Sequence, residues 1–255
     1  MKKQSLSILL WLALGLLVSP LVRAQQNPPP DAAAMAAADE DDEYAVVRIY
    51  DPLQPFNRTM FTFNNGLYDY VFRPVSKSYV KVVPHQVRNG LTNFFSNIRF
   101  PIRFVSDVLQ FKFKRAGLET EKFYVNTVAG LGGFIKISND VPSLANIPSE
   151  DLGQTFGVWG IHKGPYLVLP VLGPGTTRDA VGLAGDYFLN PLHWNQLQRI
   201  DGYHWWWDTS LQTTDTVNSL PYLLQLYDEE KKASLDPYIA VRNAYIQYRD
   251  AAVKQ

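Results

Sequence analysis

Proline and apolar spacing divide the chain into short helices. Phe56, Met60, Phe63, Leu67 and Val71 recur at spacings of four, three, four and four, the repeat of a single helix face. Asp51-Pro52, just upstream, reads as an N-cap followed by proline in the first turn. Pro74 and Pro84 bracket a short helix, Val75 to Val83, because an interior proline removes a backbone donor and clashes with the preceding turn. Val87, Leu91, Phe94 and Phe95 stripe a helix that ends before Pro101, which opens another reaching Leu109. Thr120, Phe123 and Val128 fit a further helix, closed by Gly130-Leu131-Gly132-Gly133. Thr176 and Thr177 can cap a helix through Tyr187. Asp236-Pro237 repeats the Asp-Pro opening for a helix to about Val253, with Ile239, Asn243, Ile246 and Asp250 along it. Tyr166 to Leu169 is the one tempting strand, and Pro170 demotes it. The expected fold is mostly α.

Such short, aromatic, two-faced helices suit a flat object with a lipid-facing rim better than a bundle of long helices. Aromatics make up 13% of the chain, with 6 Trp, 14 Tyr and 14 Phe. Trp and Tyr favour membrane–water interfaces, although they also fill ordinary cores. Met1-Lys2-Lys3, the apolar run Leu6 to Val18 and Val22-Arg23-Ala24 form a secretory signal over residues 1–24. Residues 25–50, Pro/Ala-rich and then acidic from Asp39 to Glu43, read as a disordered leader. Residues 51–255 are then the folded domain. No cysteine occurs, which excludes disulfides, thiolate chemistry and acylation of a cysteine after the signal. No stretch is long and apolar enough for a spanning helix. Between Arg48 and Lys122, Lys and Arg clearly outnumber Asp and Glu, which suits a phosphate-bearing partner such as a lipid headgroup.

Signs of chemistry are sparse. His85, His162, His193 and His204 show no helical metal spacing, and no Gly-x-Ser-x-Gly elbow is present. The glycines of Gly130 to Gly133 lack a P-loop lysine and read as a helix stop. Trp205-Trp206-Trp207 point around a helix in different directions, so at least one should reach the surface. Asn57 and Asn64 sit seven apart beside the Phe56/Met60/Phe63 stripe. An amide row beside an apolar row could border a passage for an amphiphile, or could be the polar flank of an ordinary helix.

Longer segments carry more information. Asp51-Pro52-Leu53-Gln54-Pro55-Phe56-Asn57-Arg58 with Met60-Phe61, and Asp151-Leu152-Gly153-Gln154-Thr155-Phe156-Gly157-Val158-Trp159-Gly160, resemble the MlaA (VacJ) family. So do Gly164 to Pro170, Gly173-Pro174 with Arg178-Asp179, Arg88-Asn89-Gly90-Leu91 with Asn93-Phe94, and Phe123 to Gly133. Asp236-Pro237-Tyr238 with Arg242 and Tyr245 completes a match over roughly residues 50–250, weakest near 193–230.

The resemblance implies a helical ring at the periplasmic side of the outer membrane, enclosing an amphipathic channel. It implies a protein that removes misplaced phospholipid from the outer leaflet and so maintains lipid asymmetry. The implied partners are a porin trimer and a soluble periplasmic carrier that feeds an inner-membrane ABC transporter. No cofactor and no catalysed reaction are expected. Phe56, Asn57, Met60, Phe63 and Asn64 are the expected border of the lipid path, while Arg178 and Asp179 are expected to pin the Gly-Pro segment. Many family members are lipoproteins; this chain offers no acceptor cysteine. A soluble lipid-binding carrier, a porin-associated adaptor and an envelope lipid hydrolase stand as alternatives.

Overall fold

The computed structural model describes residue 49 and residues 51–198, 206–232 and 234–255. The expected signal peptide, the expected leader apart from Ile49, and His204 and Trp205 lie outside the described residues; Ile49 packs against the buried cluster of Tyr166 and Tyr238. Helix is the dominant element, as the periodicity requires. In chain order the α-helices are α1 (Gln54–Leu67), α2 (Arg73–Val82), α3 (His85–Ile98), α4 (Phe100–Leu109), α5 (Phe113–Val128) and α6 (Pro142–Ala145). There follow α7 (Leu152–Val158), α8 (Thr177–Leu189), α9 (Pro191–Gln198), α10 (Trp206–Lys232) and α11 (Pro237–Val253).

The short helix expected between Pro74 and Pro84 is α2, with Pro74 in its first turn, and a π-turn, Tyr68–Phe72, joins it to α1. Two readings from sequence need correction. Asp51 is not the cap of α1; the N-cap is Leu53, with no side-chain bond, because the Asp51 carboxylate is turned to Asn57, Tyr238 and Arg242. Tyr166–Leu169 does form a strand, β1, antiparallel to β2 (Gly173–Thr176). Pro170 falls just beyond β1, in the turn, and Pro174 lies in β2 opposite Val168. A two-stranded ribbon has an outward edge on each strand, so proline there costs no ladder bond. The hairpin turn takes Val171 at φ 67 and Gly173 at φ 81.

Two capping readings hold. The Thr176 hydroxyl accepts the Asp179 N–H at the start of α8. The Asp236 carboxylate accepts the Tyr238 and Ile239 N–H groups at the start of α11.

Helices α10, α3, α4, α7 and α11 pack in a closed circuit, α11 returning to α10. The apolar core is split. One cluster joins Tyr68 and Phe72 to Leu220, Leu223 and Leu224 of α10; the other joins Tyr166 and Val168 of β1 to Tyr238 and Ile246 of α11.

Candidate functional site

The expected path residues divide by face. At about 100° per residue, Asn57 and Asn64 lie about a quarter turn from Phe56 and Phe63 on α1. Asn57 is fully buried, donating to the Tyr166 carbonyl at 2.9 Å and to Asp51 Oδ1 at 3.0 Å, and accepting the Val168 N–H at 2.8 Å. Asn64 repeats the pattern one step along, donating to the Leu169 carbonyl at 3.0 Å and accepting the Val171 N–H at 2.6 Å. The two amides therefore imitate a neighbouring strand and clamp α1 along β1. Met60 is partly buried against the Tyr166/Tyr238 cluster. Phe56 and Phe63 are about half exposed. Any lipid contact from this face falls to the rings, with the amides holding the helix that carries them.

Arg178 and Asp179 open α8 beneath the hairpin, and both side chains are buried. Asp179 accepts from the Thr176 hydroxyl at 2.8 Å, from the Tyr245 hydroxyl at 2.8 Å and from Arg249 Nη2 at 2.6 Å. Arg249 also donates to Asp151 at 2.7 Å, and Asp151 caps α7 through the Gln154 N–H at 2.8 Å. One buried arginine thus ties the starts of α7 and α8 to α11. Gly153 leaves the room: a Cβ there would come within 2.6 Å of Arg249 Nη2. Arg249 and Asp151 do not stand out from sequence pattern alone, because nothing in their local spacing says that they meet.

The basic excess of the first half is largely spent inside. Arg99 pairs with Asp215, Arg103 with Glu119 at 2.7 Å, and Arg115 and Lys112 with Glu150 at 2.8 and 3.0 Å. Burial pushes the Glu119 carboxyl up, but Arg103 and Lys122 outweigh it and hold it below its ordinary range. Asp107, fully buried on α4, behaves oppositely. Burial raises it to about 7, against the pull of Arg115 at 3.5 Å. Neither Asp107 oxygen has a hydrogen-bond partner, and Ser106 Oγ and Gln110 Oε1 nearby are in the same condition. Unmet buried polar atoms at the end of α4 mark a place suited to buried water.

The MlaA lipoprotein family model matches residues 49–252. The chain belongs to the MlaA family. It is 36% identical over 204 residues to the intermembrane phospholipid transport system lipoprotein MlaA of Escherichia coli (strain K12), covering 78% of this chain and 77% of that one. Against the protein of the same name from Haemophilus influenzae it is 31% identical over 198 residues, 77% of this chain and 76% of the relative. A solved structure concerned with the maintenance of bacterial outer membrane lipid asymmetry superposes at a TM-score of 0.64 and 34% identity. It covers 80% of this chain and 100% of its own.

Within this MlaA-family chain, the described residues expose many large apolar side chains and bury many polar ones. Among the described residues, exposed large apolar side chains outnumber buried apolar ones, and buried polar or charged side chains outnumber both. Tyr70, Val82, Phe111, Leu131 and Val181 all stand mostly in the open. Trp206 and Trp207 stack at 4.3 Å and are also exposed, as expected of that run. His193 instead is buried, stacked on Tyr187 at 4.0 Å. No helix among the described residues is long and apolar enough to cross a membrane.

Proposed function

We propose that this MlaA-family chain is a phospholipid conduit at the periplasmic side of the outer membrane. It takes misplaced phospholipid out of the outer leaflet and passes it to a soluble periplasmic carrier that feeds an inner-membrane ABC transporter, with a porin trimer as its partner in the membrane. No bond of the lipid is broken. A phospholipid leaving a bilayer through water exposes its chains at about 0.8 kcal/mol per CH₂, so a conduit must keep the tails dry and the headgroup wet. The observation that carries the reading is the pairing of many exposed large apolar side chains with many buried polar ones. In an ordinary soluble domain, large apolar side chains collect inside and exposed apolar patches stay small.

The closed circuit of helices supports a ring with a passage through it. The half-exposed Phe56 and Phe63, with Met60 behind them, border the acyl side of the path. Asn57 and Asn64 fix α1 against the hairpin, and Arg178 and Asp179 fix the hairpin against α8 and α11. The relatives' shared name, an intermembrane phospholipid transport system lipoprotein, agrees with the same reading.

The test is complementation. Cells lacking the protein are given either the wild-type chain or Phe56→Asp/Phe63→Asp, and outer-leaflet phospholipid is measured. Wild type restores a low level and the variant does not, at equal abundance in the envelope. A variant that restores asymmetry fully removes this face from the path. A wild type that leaves asymmetry unchanged defeats the proposal.

A further inference from the structure

Buried cations elsewhere in the chain are matched by carboxylates. Arg99 and Arg242 each meet one, Asp215 and Asp51, while Arg115 and Lys112 meet Asp107 and Glu150 between them. One cluster does not balance. Arg103 of α4, Lys122 of α5 and Lys136, beyond the end of α5, gather around the single carboxylate of Glu119. Arg103 Nε donates to Glu119 Oε2 at 2.7 Å and its Nη1 to the Ser96 carbonyl at 2.8 Å, while Lys122 Nζ stands 3.5 Å from Glu119 Oε1. Arg103, Lys122 and Glu119 are buried, and Lys136 is partly so. Among the described residues, neither Arg103 Nη2 nor the Lys136 ammonium has a hydrogen-bond partner.

The glycines after α5, expected only to stop the helix, bring Lys136 to this place. The chain folds back on the helix it ends: the Gly132 N–H donates to the Thr127 carbonyl, the Ile135 N–H to the Gly130 carbonyl and the Ser138 N–H to Asn126 Oδ1, each at 2.9 Å. A Cβ on Gly130 would lie 2.1 Å from the Ile135 carbonyl oxygen, so the fold-back needs glycine there. The backbone at Lys136 is thereby held on both sides. Burial lowers the Lys122 and Lys136 ammonium groups below the ordinary lysine value, Arg103 lowers both further, and Glu119 opposes it. Three cations around one carboxylate leave two positive charges unmatched where water is largely excluded, an arrangement that an added anion would relieve.

Neighbouring rings indicate which kind of anion. Phe100 of α4 stacks on Phe123 of α5 at 4.5 Å, Phe104 stands 5.5 Å from Phe100, and all three are only partly buried. Phe100 lies three residues before Arg103, and Phe123 four after Glu119, so rings and charges share a side of each helix. Cations beside half-covered rings suit an amphiphile that carries a phosphate. Arginine offers that phosphate a planar donor, and the two lysines act as point charges.

We propose that Arg103, Lys122 and Lys136 form a phosphate site that receives the headgroup phosphate of a phospholipid as it passes through the chain. The inference rests on the phospholipid-conduit reading and adds to it a place where the headgroup is held.

The experiment uses the chain purified from envelopes in detergent. Co-purified phospholipid is counted by mass spectrometry, and melting is followed with added dihexanoyl-phosphatidylglycerol, phosphate-free dihexanoylglycerol or inorganic phosphate. Lys136→Met should retain less phospholipid, and Lys122→Met/Lys136→Met less again, by roughly tenfold per cation removed. Lys136→Met removes repulsion between cations, so its melting temperature without ligand should match or exceed that of wild type, which separates lost binding from lost folding. Lys136→Arg should keep its phospholipid, as should Lys81→Met, which removes an exposed cation on α2. Dihexanoyl-phosphatidylglycerol should raise the melting temperature of wild type more than dihexanoylglycerol or inorganic phosphate does, and the excess should vanish in Lys136→Met. Wild-type phospholipid content in Lys122→Met/Lys136→Met overturns the phosphate site and leaves the conduit reading standing. Equal loss in Lys81→Met overturns it too, because net charge alone then governs retention. A wild type that carries no phospholipid, yet is stabilised by inorganic phosphate through Lys136, keeps the phosphate site and defeats the conduit.

Discussion

Arg249 and Asp179, 70 residues apart in the chain, meet at 2.6 Å in a buried site, and the same guanidinium reaches Asp151 at 2.7 Å. Removing the arginine strips a shared cation from two carboxylates, each already committed to a helix start, although Arg178 still stands 3.4 Å from Asp179. Losing one partner of a buried pair typically costs about 3–5 kcal/mol. Arg249→Ala should lower stability by that order in urea denaturation, and Asp179→Asn should cost less because its hydroxyl donors remain. Equal stability of Arg249→Ala and wild type would show that the network is ornamental.

The clamp between α1 and β1 gives a finer test. Asn57→Ala strips the Val168 N–H of its acceptor and the Tyr166 carbonyl of its donor, at about 2–4 kcal/mol for the two buried groups. Asn57→Asp keeps the acceptor but turns a charged oxygen toward the Tyr166 carbonyl and the Asp51 carboxylate. At pH 7, Asn57→Asp should be the less stable of the two. The reverse order, read from urea midpoints, would mean that the donor half of the amide contributes little.

Glycine positions predict opposite signs. A Cβ on Gly182 would lie 2.3 Å from the Gly153 backbone nitrogen, where α8 crosses α7. Neither backbone can give way cheaply, so Gly182→Ala should destabilise by roughly 1–3 kcal/mol or more. Gly66, inside α1, has nothing within 4 Å of an added Cβ. Gly66→Ala should stabilise by about 0.4–1 kcal/mol through the unfolded chain. Thermal melts of the two variants should shift in opposite directions.

Asp107 makes a pH prediction. Burial raises its carboxyl from 3.8 to about 7, so the folded chain holds this proton more tightly than the unfolded chain does. Its contribution is fully favourable below the unfolded value and is lost as pH climbs toward and through 7. Asp107→Asn removes the charge, and so should stabilise at pH 8 by on the order of a few kcal/mol. The gain should shrink toward zero near pH 4. A constant difference across that range would locate the effect in packing instead.

How much of this was legible in the residues depended on range. Apolar spacing and Asp-Pro or Thr caps located α3, α4, α8 and α11 because those signals act within one or two turns. Helix α10, 27 residues with Pro221 inside it, gave no such signal, since its burial is set by partners over a hundred positions away. Asn57 and Asn64 were found as a pair on one face, but their targets on β1 lie 109 and 105 residues off. Local pattern shows that two amides align; only the fold shows what they hold. Cations of the first half looked like a surface for phosphate because their buried counter-ions, Asp215 and Glu150 among them, sit in the other half of the chain or beyond the counted stretch.

The most direct measurement of the central claim, that the exposed rings of α1 border a lipid route, is photo-crosslinking in intact envelopes from a reactive side chain placed at Phe63. Phospholipid carrying both acyl chains should attach there, and not at Lys81, an exposed position on α2 used as control. Equal labelling at the two positions, labelling by protein alone, or lipid recovered with a chain cleaved would contradict the account.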